Sequence, residues 1–357
     1  MMKILVFEYI TGGGFNKQEL PDSLAIEGRL MLQALLDDLC SYTEHGDGNG
    51  ITVMVMLDSR VSGSINTAGF DTVIINPEQN SHEEFARLAL HCDAVWPIAP
   101  EFDGILQALC QTVELLGKRL LTSPASAVAL TGNKFNTYQR LKQHHIATVP
   151  TRMFTNVGWD SDIQYLAQEL DESNSANLTC KIEQWLVKPV DGVGCADSYI
   201  LTDRKDFEQI YSRKGHYVIQ PHLQGKKTSL SCLFKQGIGW LLCANLQQFD
   251  IINQQYHLSK IIVNHYSDLS EYQNLVDNIA RALPELWGYA GIDLIETPEQ
   301  RFVLEINPRL TTSFAGINAA LGINVAENIL QLLKGKPTLN AVYNQSITIK
   351  VKQNESD

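Results

Sequence analysis

The chain has 357 residues, 44% of them apolar, with 28 basic against 40 acidic side chains and a formal net charge of -12. That length exceeds one ordinary domain and predicts two or three domains sharing a cleft. An acidic balance without a block of Lys and Arg argues against nucleic acid and anionic membrane surfaces as partners, which leaves small molecules. Seven cysteines, at 40, 92, 110, 180, 195, 232 and 243, are scattered without a C-x-x-C pair and point to reduced, buried thiols rather than a disulfide framework or a zinc site. Residues 1–8 are too short an apolar run for a signal segment and no later stretch approaches a membrane span, so the expected location is the cytoplasm.

Residues 3–10 read as an apolar strand, followed by Thr11, Gly12, Gly13 and Gly14 and then by a helix opening at Pro21, Asp22 and Ser23, with Leu24, Met31, Leu35 and Leu39 on its buried face. Three consecutive glycines are not the G-x-G-x-x-G dinucleotide fingerprint, and ten residues separate the strand from the helix, which argues against a nicotinamide-dependent dehydrogenase. Two readings of this turn stand: Glu8 and the glycine amides line a cleft, or the glycines serve a surface turn needing positive φ. Strands at 51–57, 72–75, 94–98 and 119–122 alternate with helices, one of them opened by Ser81 with Glu84 in capping-box spacing, and this alternation predicts a parallel sheet. Glu101 and Asp103 follow a strand end, where open sheets bind ligands; either could instead cap the next helix. The polar stretch 44–50 reads as a loop, and Pro124 should open the helix after the last strand of this region.

Lys134 starts a further helix after the break at Gly132. A lysine there opposes the macrodipole and needs a local reason, which a phosphate would supply and simple solvation would also allow. From about 150 to 223 the pattern is a compact α+β unit with a polar loop at 171–177. Within it a strand delivers Lys188 just ahead of Gly192, Val193 and Gly194; amides freed by the glycines and the lysine ammonium can grip phosphate oxygens, and the competing reading is a plain hairpin turn. The strand at 217–223 cannot continue its ladder through Pro221, and backbone groups freed there suit an adenine edge. Residues 228–263 read as an antiparallel sheet, with 254–258 between two of its strands and able to face substrate.

A helix at 270–286 leads into two strands, the first carrying Asp293, the second Glu305 and Asn307. The strand period of two sends Val303, Glu305 and Asn307 to one face. Oxygens from Asp, Glu and Asn suit magnesium or manganese, and magnesium completes its shell with waters and nucleotide phosphates, so the trio predicts a nucleoside triphosphate partner. The competing reading is a solvated strand end. A helix at 312–333, broken at Gly322, and a short strand at 346–351 close the chain.

Taken in order, Lys134, the Lys188 strand, the glycine turn, the hinge strand, Asp293, and Glu305 with Asn307, Pro308 and Arg309 resemble the ATP-grasp superfamily over residues 1–335. The resemblance implies an α/β plus α+β fold: a doubly wound N-terminal parallel-sheet domain at 1–122, a small central domain at 123–223, and a C-terminal antiparallel-sheet domain at 224–357 that holds the metal site. ATP would lie between two antiparallel sheets. Lys134 and Lys188 then match phosphate-binding lysines, Gly192, Val193 and Gly194 the glycine loop, and Gln220, Pro221, His222 and Leu223 the adenine hinge. Asp293, Glu305 and Asn307 match the magnesium ligands, and Arg309 the arginine that steadies the transferred phosphate. Gln224 stands where many members carry an acidic ribose contact, and Gly291 where D-alanine ligases carry an arginine.

Shorter segments around Glu8 and Gly12, Glu27 and Gly28, and Glu101 and Asp103 are similar to the ATP-grasp ligases of methanofuran biosynthesis, which join glutamate to tyramine. The chemistry so implied is attack of a substrate carboxylate on the γ-phosphate to give an acylphosphate, which an amine converts to an amide, releasing ADP and phosphate. Lys188 and Arg309 would offset charge on the transferring group, and Glu8 and Glu101 are candidates to receive the amine's proton. The alternatives are an amino-acid or dipeptide ligase of other specificity and a nucleotide-binding regulator without turnover; a regulator would be expected to have lost a lysine or a metal ligand. A homodimer is the usual expectation for such an enzyme.

Overall fold

The computed structural model describes residues 2–45, 50–154, 163–169, 183–192, 198–202, 206, 210 and 215–351. Val193, Gly194, Cys180, Cys195, the 171–177 stretch and positions 46–49 lie outside the described residues.

The first sheet is parallel, as the strand and helix alternation predicts. Its strands β1 (Met2–Glu8), β2 (Ile51–Asp58), β3 (Asp71–Ile75), β4 (Ala94–Ile98) and β5 (Arg119–Leu120) lie in the order β3-β2-β1-β4-β5. Central β1 is apolar on both faces because both are covered. Ile4 and Val6 join Leu32, Leu35 and Leu39 of α1 (Asp22–His45), whereas Leu5 and Phe7 join Phe85 of α2 (Ser81–Leu90) and Leu106 of α3 (Ile105–Leu115). Asn80, rather than Ser81, caps α2: it is extended (φ -92°, ψ 109°) and its side-chain oxygen accepts from the amides of His82 and Glu83.

The glycine turn forms neither an open cleft nor a solvent loop. Residues Ile10–Gly14 make one wide helical turn folded back on the strand, with Gly13 at φ 101°. A Cβ at Gly12 would sit 2.6 Å from the Phe7 ring, so only glycine allows this approach.

Two short helices, α4 (Ala125–Thr131) and α5 (Lys134–Gln143), lead to a small antiparallel sheet of β6 (Arg152–Met153), β7 (Trp185–Pro189), β8 (Tyr199–Leu201) and β9 (Tyr217–Pro221), ordered β6-β9-β7-β8. The larger antiparallel sheet comprises β10 (Lys226–Lys235), β11 (Ile238–Ile252), β12 (Gln255–Val263), β13 (Gly288–Glu296), β14 (Arg301–Asn307) and β15 (Ile347–Lys350) in the order β14-β13-β10-β11-β12-β15. Residues 255–258 are part of β12 rather than a connection; Asn253 and Gln254, at φ 51° and 62°, make the tight turn instead.

One face of this sheet is covered by α6 (Ser270–Ala282), whose Val276, Ile279 and Ala280 join Leu230, Cys232 and Phe234. That helix ends two residues before Pro284, which could not continue it. The expected 312–333 helix is three pieces: a 3-10 turn at Thr312–Gly316, α7 (Ile317–Leu321) and α8 (Val325–Leu332), broken as expected at Gly322, φ 67°. Leu32 and Leu35 of α1, Ile317 of α7 and Leu233 and Leu242 of the large sheet share one buried cluster, so the N-terminal and C-terminal units are joined by a continuous core.

Candidate active site

A cavity opens between the small sheet and the large one. Strand alternation aims Leu186 and Lys188 of β7 and Gln220 of β9 into it from one side. From the other side the cross-strand register stacks three rows: Lys227 opposite Ile295, Ser229 opposite Asp293, and Ser231 opposite Gly291. On the next strand Glu305 stands opposite Asp293, and Asn307 opposite Gly291. The rows therefore run from an apolar end through a carboxylate pair to a hydroxyl-rich end.

Strand β14 departs from a strict period of two. Asp293 pairs with Glu305 but Leu294 pairs with Val303, so Leu304 is an extra residue in the ladder. This bulge breaks the period of two. Val303 turns into the α6 core with Ile306, whereas Leu304, Glu305 and Asn307 all line the cavity.

The carboxylate pair lies deep in the protein. Lys134, 7% exposed, holds Glu305 at 3.1 Å and also donates to the Gly192 carbonyl, which ties the start of α5 to the turn after β7. Lys188 is equally buried and faces the same cavity. Burial opposes charge on Glu305, yet the ammonium groups of Lys134 and Lys188 keep its carboxyl below the usual range. Asp293 is pushed the other way, first by burial and then by the neighbouring Glu305 charge. Its oxygens accept from Gln247 Nε2 and Asn307 Nδ2, each at 3.0 Å. A divalent cation fits this donor set: two half-buried carboxylates side by side call for positive charge, and the Asn307 amide adjoins them. No group of three His, Cys, Asp or Glu suited to a metal occurs among the described residues.

At the apolar end, Val149, Leu186, Ile295 and Leu304 line the cavity with Pro221, His222 and Leu223 of the expected hinge. Gln220, 2% exposed, donates to Thr151 Oγ1 at 2.7 Å. His222 is held through Nε2 to the Tyr256 hydroxyl at 2.6 Å and through Nδ1 to Gln184 Oε1 at 3.0 Å. Burial, and then the charge of Lys227, lowers its pKa to about 4, so the ring is neutral at physiological pH. The Lys227 ammonium lies 4.0 Å from the Tyr256 ring centroid.

At the opposite end the expected proton acceptors are engaged elsewhere. Glu8 is 1% exposed and accepts from the Thr11 amide and hydroxyl at 2.7 and 2.6 Å; it does not line the cavity. Glu101 forms a two-pronged pair with Arg309, at 3.0 Å to Nε and 2.9 Å to Nη2, because a buried guanidinium needs a counter-ion. Arg309 Nη1 donates to the Leu310 carbonyl at 3.0 Å, and the side chain borders the cavity. Asp103 is also outside the cavity; its amide donates to Asp191 at 3.0 Å.

The carboxylate that does reach this end is Glu27 of α1, hydrogen-bonded by the Thr312 hydroxyl. Sequence reading gave it no role, although an acid between Leu24 and Met31 on the apolar stripe of α1 is a signal of its own. Around it lie the hydroxyls of Thr311 and Ser313, which meet the Tyr289 hydroxyl at 3.0 and 3.4 Å. Gly291 leaves room for them: a Cβ there would sit 2.5 Å from Thr311 Cγ2.

A cleft between two antiparallel sheets, faced by two lysines and a carboxylate pair, is suited to holding charged phosphate groups. Residues 131–313 match the family model described as the ATP-grasp domain, and residues 51–128 the one described as the pre ATP-grasp 3 domain. The chain belongs to the ATP-grasp family and is an ATP-dependent ligase. Over 316 residues it is 21% identical to the tyramine–L-glutamate ligase of Methanocaldococcus jannaschii, covering 88% of this chain and 84% of that one. The fold matches that of an ATP-grasp superfamily protein from Archaeoglobus fulgidus with a TM-score of 0.65 at 22% identity, covering 98% of this chain and 92% of that one. It also matches the biotin carboxylase domain of the 2-oxoglutarate carboxylase from Hydrogenobacter thermophilus, solved with MgADP, ADP and bicarbonate (TM-score 0.66, 15% identity, 97% and 72% covered). No helix among the described residues is long and apolar enough to cross a membrane.

Proposed function

We propose that the enzyme joins glutamate, or a closely similar amino acid, to tyramine or tyrosine through an acylphosphate, releasing ADP and phosphate, in the assembly of a methanofuran-type cofactor. The observation that carries this reading is the order of groups along one cavity: apolar walls, then lysines over a carboxylate pair, then a polar end with Glu27, Arg309 and hydroxyls. That order fits a base, a triphosphate and a small polar acceptor. The likeness to tyramine–L-glutamate ligase supports the choice of acid and amine.

In this reading Val149, Leu186, Ile295, Leu304 and the 220–223 hinge hold the adenine, and Lys134 and Lys188 hold the phosphates. Gly192 would lie over them, and Val193 and Gly194 of the expected glycine loop lie outside the described residues. Asp293, Glu305 and Asn307 would hold magnesium or manganese. The bound cation supplies charge neutralisation across the phosphate oxygens. Arg309, braced by Glu101, presents a fixed positive charge where the acyl oxygen meets the γ-phosphoryl group, so the protein orients and neutralises rather than forming a covalent bond.

The test is ADP and phosphate release with magnesium, ATP, glutamate and tyramine, with single substrates and other amino acids as controls. Release that requires both substrates and is lost in Glu305→Ala supports the reading. AMP and pyrophosphate as products would overturn it.

A further inference from the structure

Of the four glutamates Glu8, Glu27, Glu101 and Glu305, three are committed to partners within the protein. Glu8 is closed off by Thr11, Glu101 by Arg309, and Glu305 by Lys134. Glu27 alone among these four both lines the cavity and takes a single hydrogen bond among the described residues, from Thr312. Its own surface is partly open to the cavity although the residue lies deep in the protein. The charged group that acts on it is Arg309, from the chain after β14, whereas Glu8 packs against the adjacent Gly28. Arg309 is already shared with Glu101. A half-buried carboxylate with one open oxygen facing a cavity recognises a cation that can donate hydrogen bonds, and a primary ammonium does so.

We propose that Glu27 binds the ammonium group of the amine substrate and takes its first proton. The ammonium gives one proton to the Glu27 carboxylate, and the freed lone pair adds to the acyl carbon of the acylphosphate. The bond from that carbon to the phosphate oxygen breaks, its electron pair leaves with phosphate, and the second nitrogen proton goes to the departing phosphate. Glu27 then returns its proton to solvent. Burial, opposed by Thr312 and Arg309, raises the Glu27 carboxyl, which improves it as an acceptor. The placement explains why this acid sits between Leu24 and Met31 on the inward-facing stripe of α1.

The inference rests on the glutamate and tyramine reading above, and the test separates the two. Wild-type protein is given ATP, magnesium and glutamate with either tyramine or hydroxylamine, a small nucleophile largely uncharged near neutral pH. Hydroxamate formation reports the acylphosphate without needing an ammonium site. In Glu27→Gln, the ratio of hydroxamate to amide formation is expected to rise roughly 10- to 100-fold, the range for losing one hydrogen bond to a charged group. Glu27→Asp, which keeps the charge, should shift the ratio less. In wild type, phenethylamine should compete with tyramine whereas 4-hydroxyphenylethanol, which lacks the ammonium, should not, a readout that needs no variant. Equal loss of both products in Glu27→Gln, or equal competition by the amine and the alcohol, overturns the role of Glu27. Absence of hydroxamate from wild-type protein overturns the substrate reading and the inference with it.

Discussion

Arg309 and Glu101, 208 residues apart, close a two-pronged ion pair where the chain leaving the large sheet meets the end of β4 in the parallel sheet. Burial works against the guanidinium's charge, and Glu101, then Glu27 and Glu305, hold it protonated. Removing the carboxylate strands a positive charge beside the cavity. Glu101→Ala should therefore lower stability by about 3 kcal/mol, seen as a reduced midpoint in urea unfolding. The double variant with Arg309→Met should recover much of that loss while remaining inactive.

Lys134 is anchored at both ends of its function, to Glu305 and to the Gly192 carbonyl. Lys134→Met should lower kcat for ADP formation by about 100-fold or more, the scale for losing one preorganised charge contact to a transferring group. Steady-state kinetics at saturating ATP measures this. A KM effect on ATP with kcat intact would assign Lys134 to ground-state binding alone.

Gly291 has no room for a side chain, since a Cβ would lie 2.5 Å from Thr311 Cγ2. Gly291→Ala should push Thr311 away from the Tyr289 hydroxyl, cost about 1–3 kcal/mol of stability, and raise the KM of the acceptor substrates more than that of ATP. Comparing the KM values for all three substrates in the same preparation checks the direction.

Asp38 of α1 accepts from the amides of Val325 and Ala326 at the start of α8 and from Asn318 Nδ2, and so ties the first helix to the last. Burial, opposed by those hydrogen bonds, raises its pKa to about 6. A carboxyl raised on folding takes up its proton in the folded state first. Its contribution to stability is full below the unfolded value near 4 and is lost as pH rises through about 6. The stability of Asp38→Asn relative to wild type should thus increase from pH 4 to pH 7 by about 2 kcal/mol. A pH-independent difference in urea unfolding would show that Asp38 does not titrate in this window.

The strand and helix alternation, the glycine break at Gly322 and the residues of the central cavity were legible in the sequence because each is local: periodicity, a positive φ, or a charged residue at the end of an apolar strand. Lys134, Lys188, Asp293, Glu305 and Asn307 meet in one cavity, although the bulge at Leu304 aims Glu305 there for a reason the period of two does not contain. The roles of the acidic residues were not legible. Glu8, Glu27 and Glu101 look alike in sequence, and their difference comes from their partners: Thr11, three residues on and folded back by the glycine turn, for Glu8, and for the other two distant groups, Thr312 at the start of a 3-10 turn and Arg309 after β14. The sequence by itself determined which groups can carry charge and which stretches must be buried. Only the tertiary structure decided which charges are neutralised within the protein and which remain open to a substrate, because that depends on contacts between residues hundreds of positions apart.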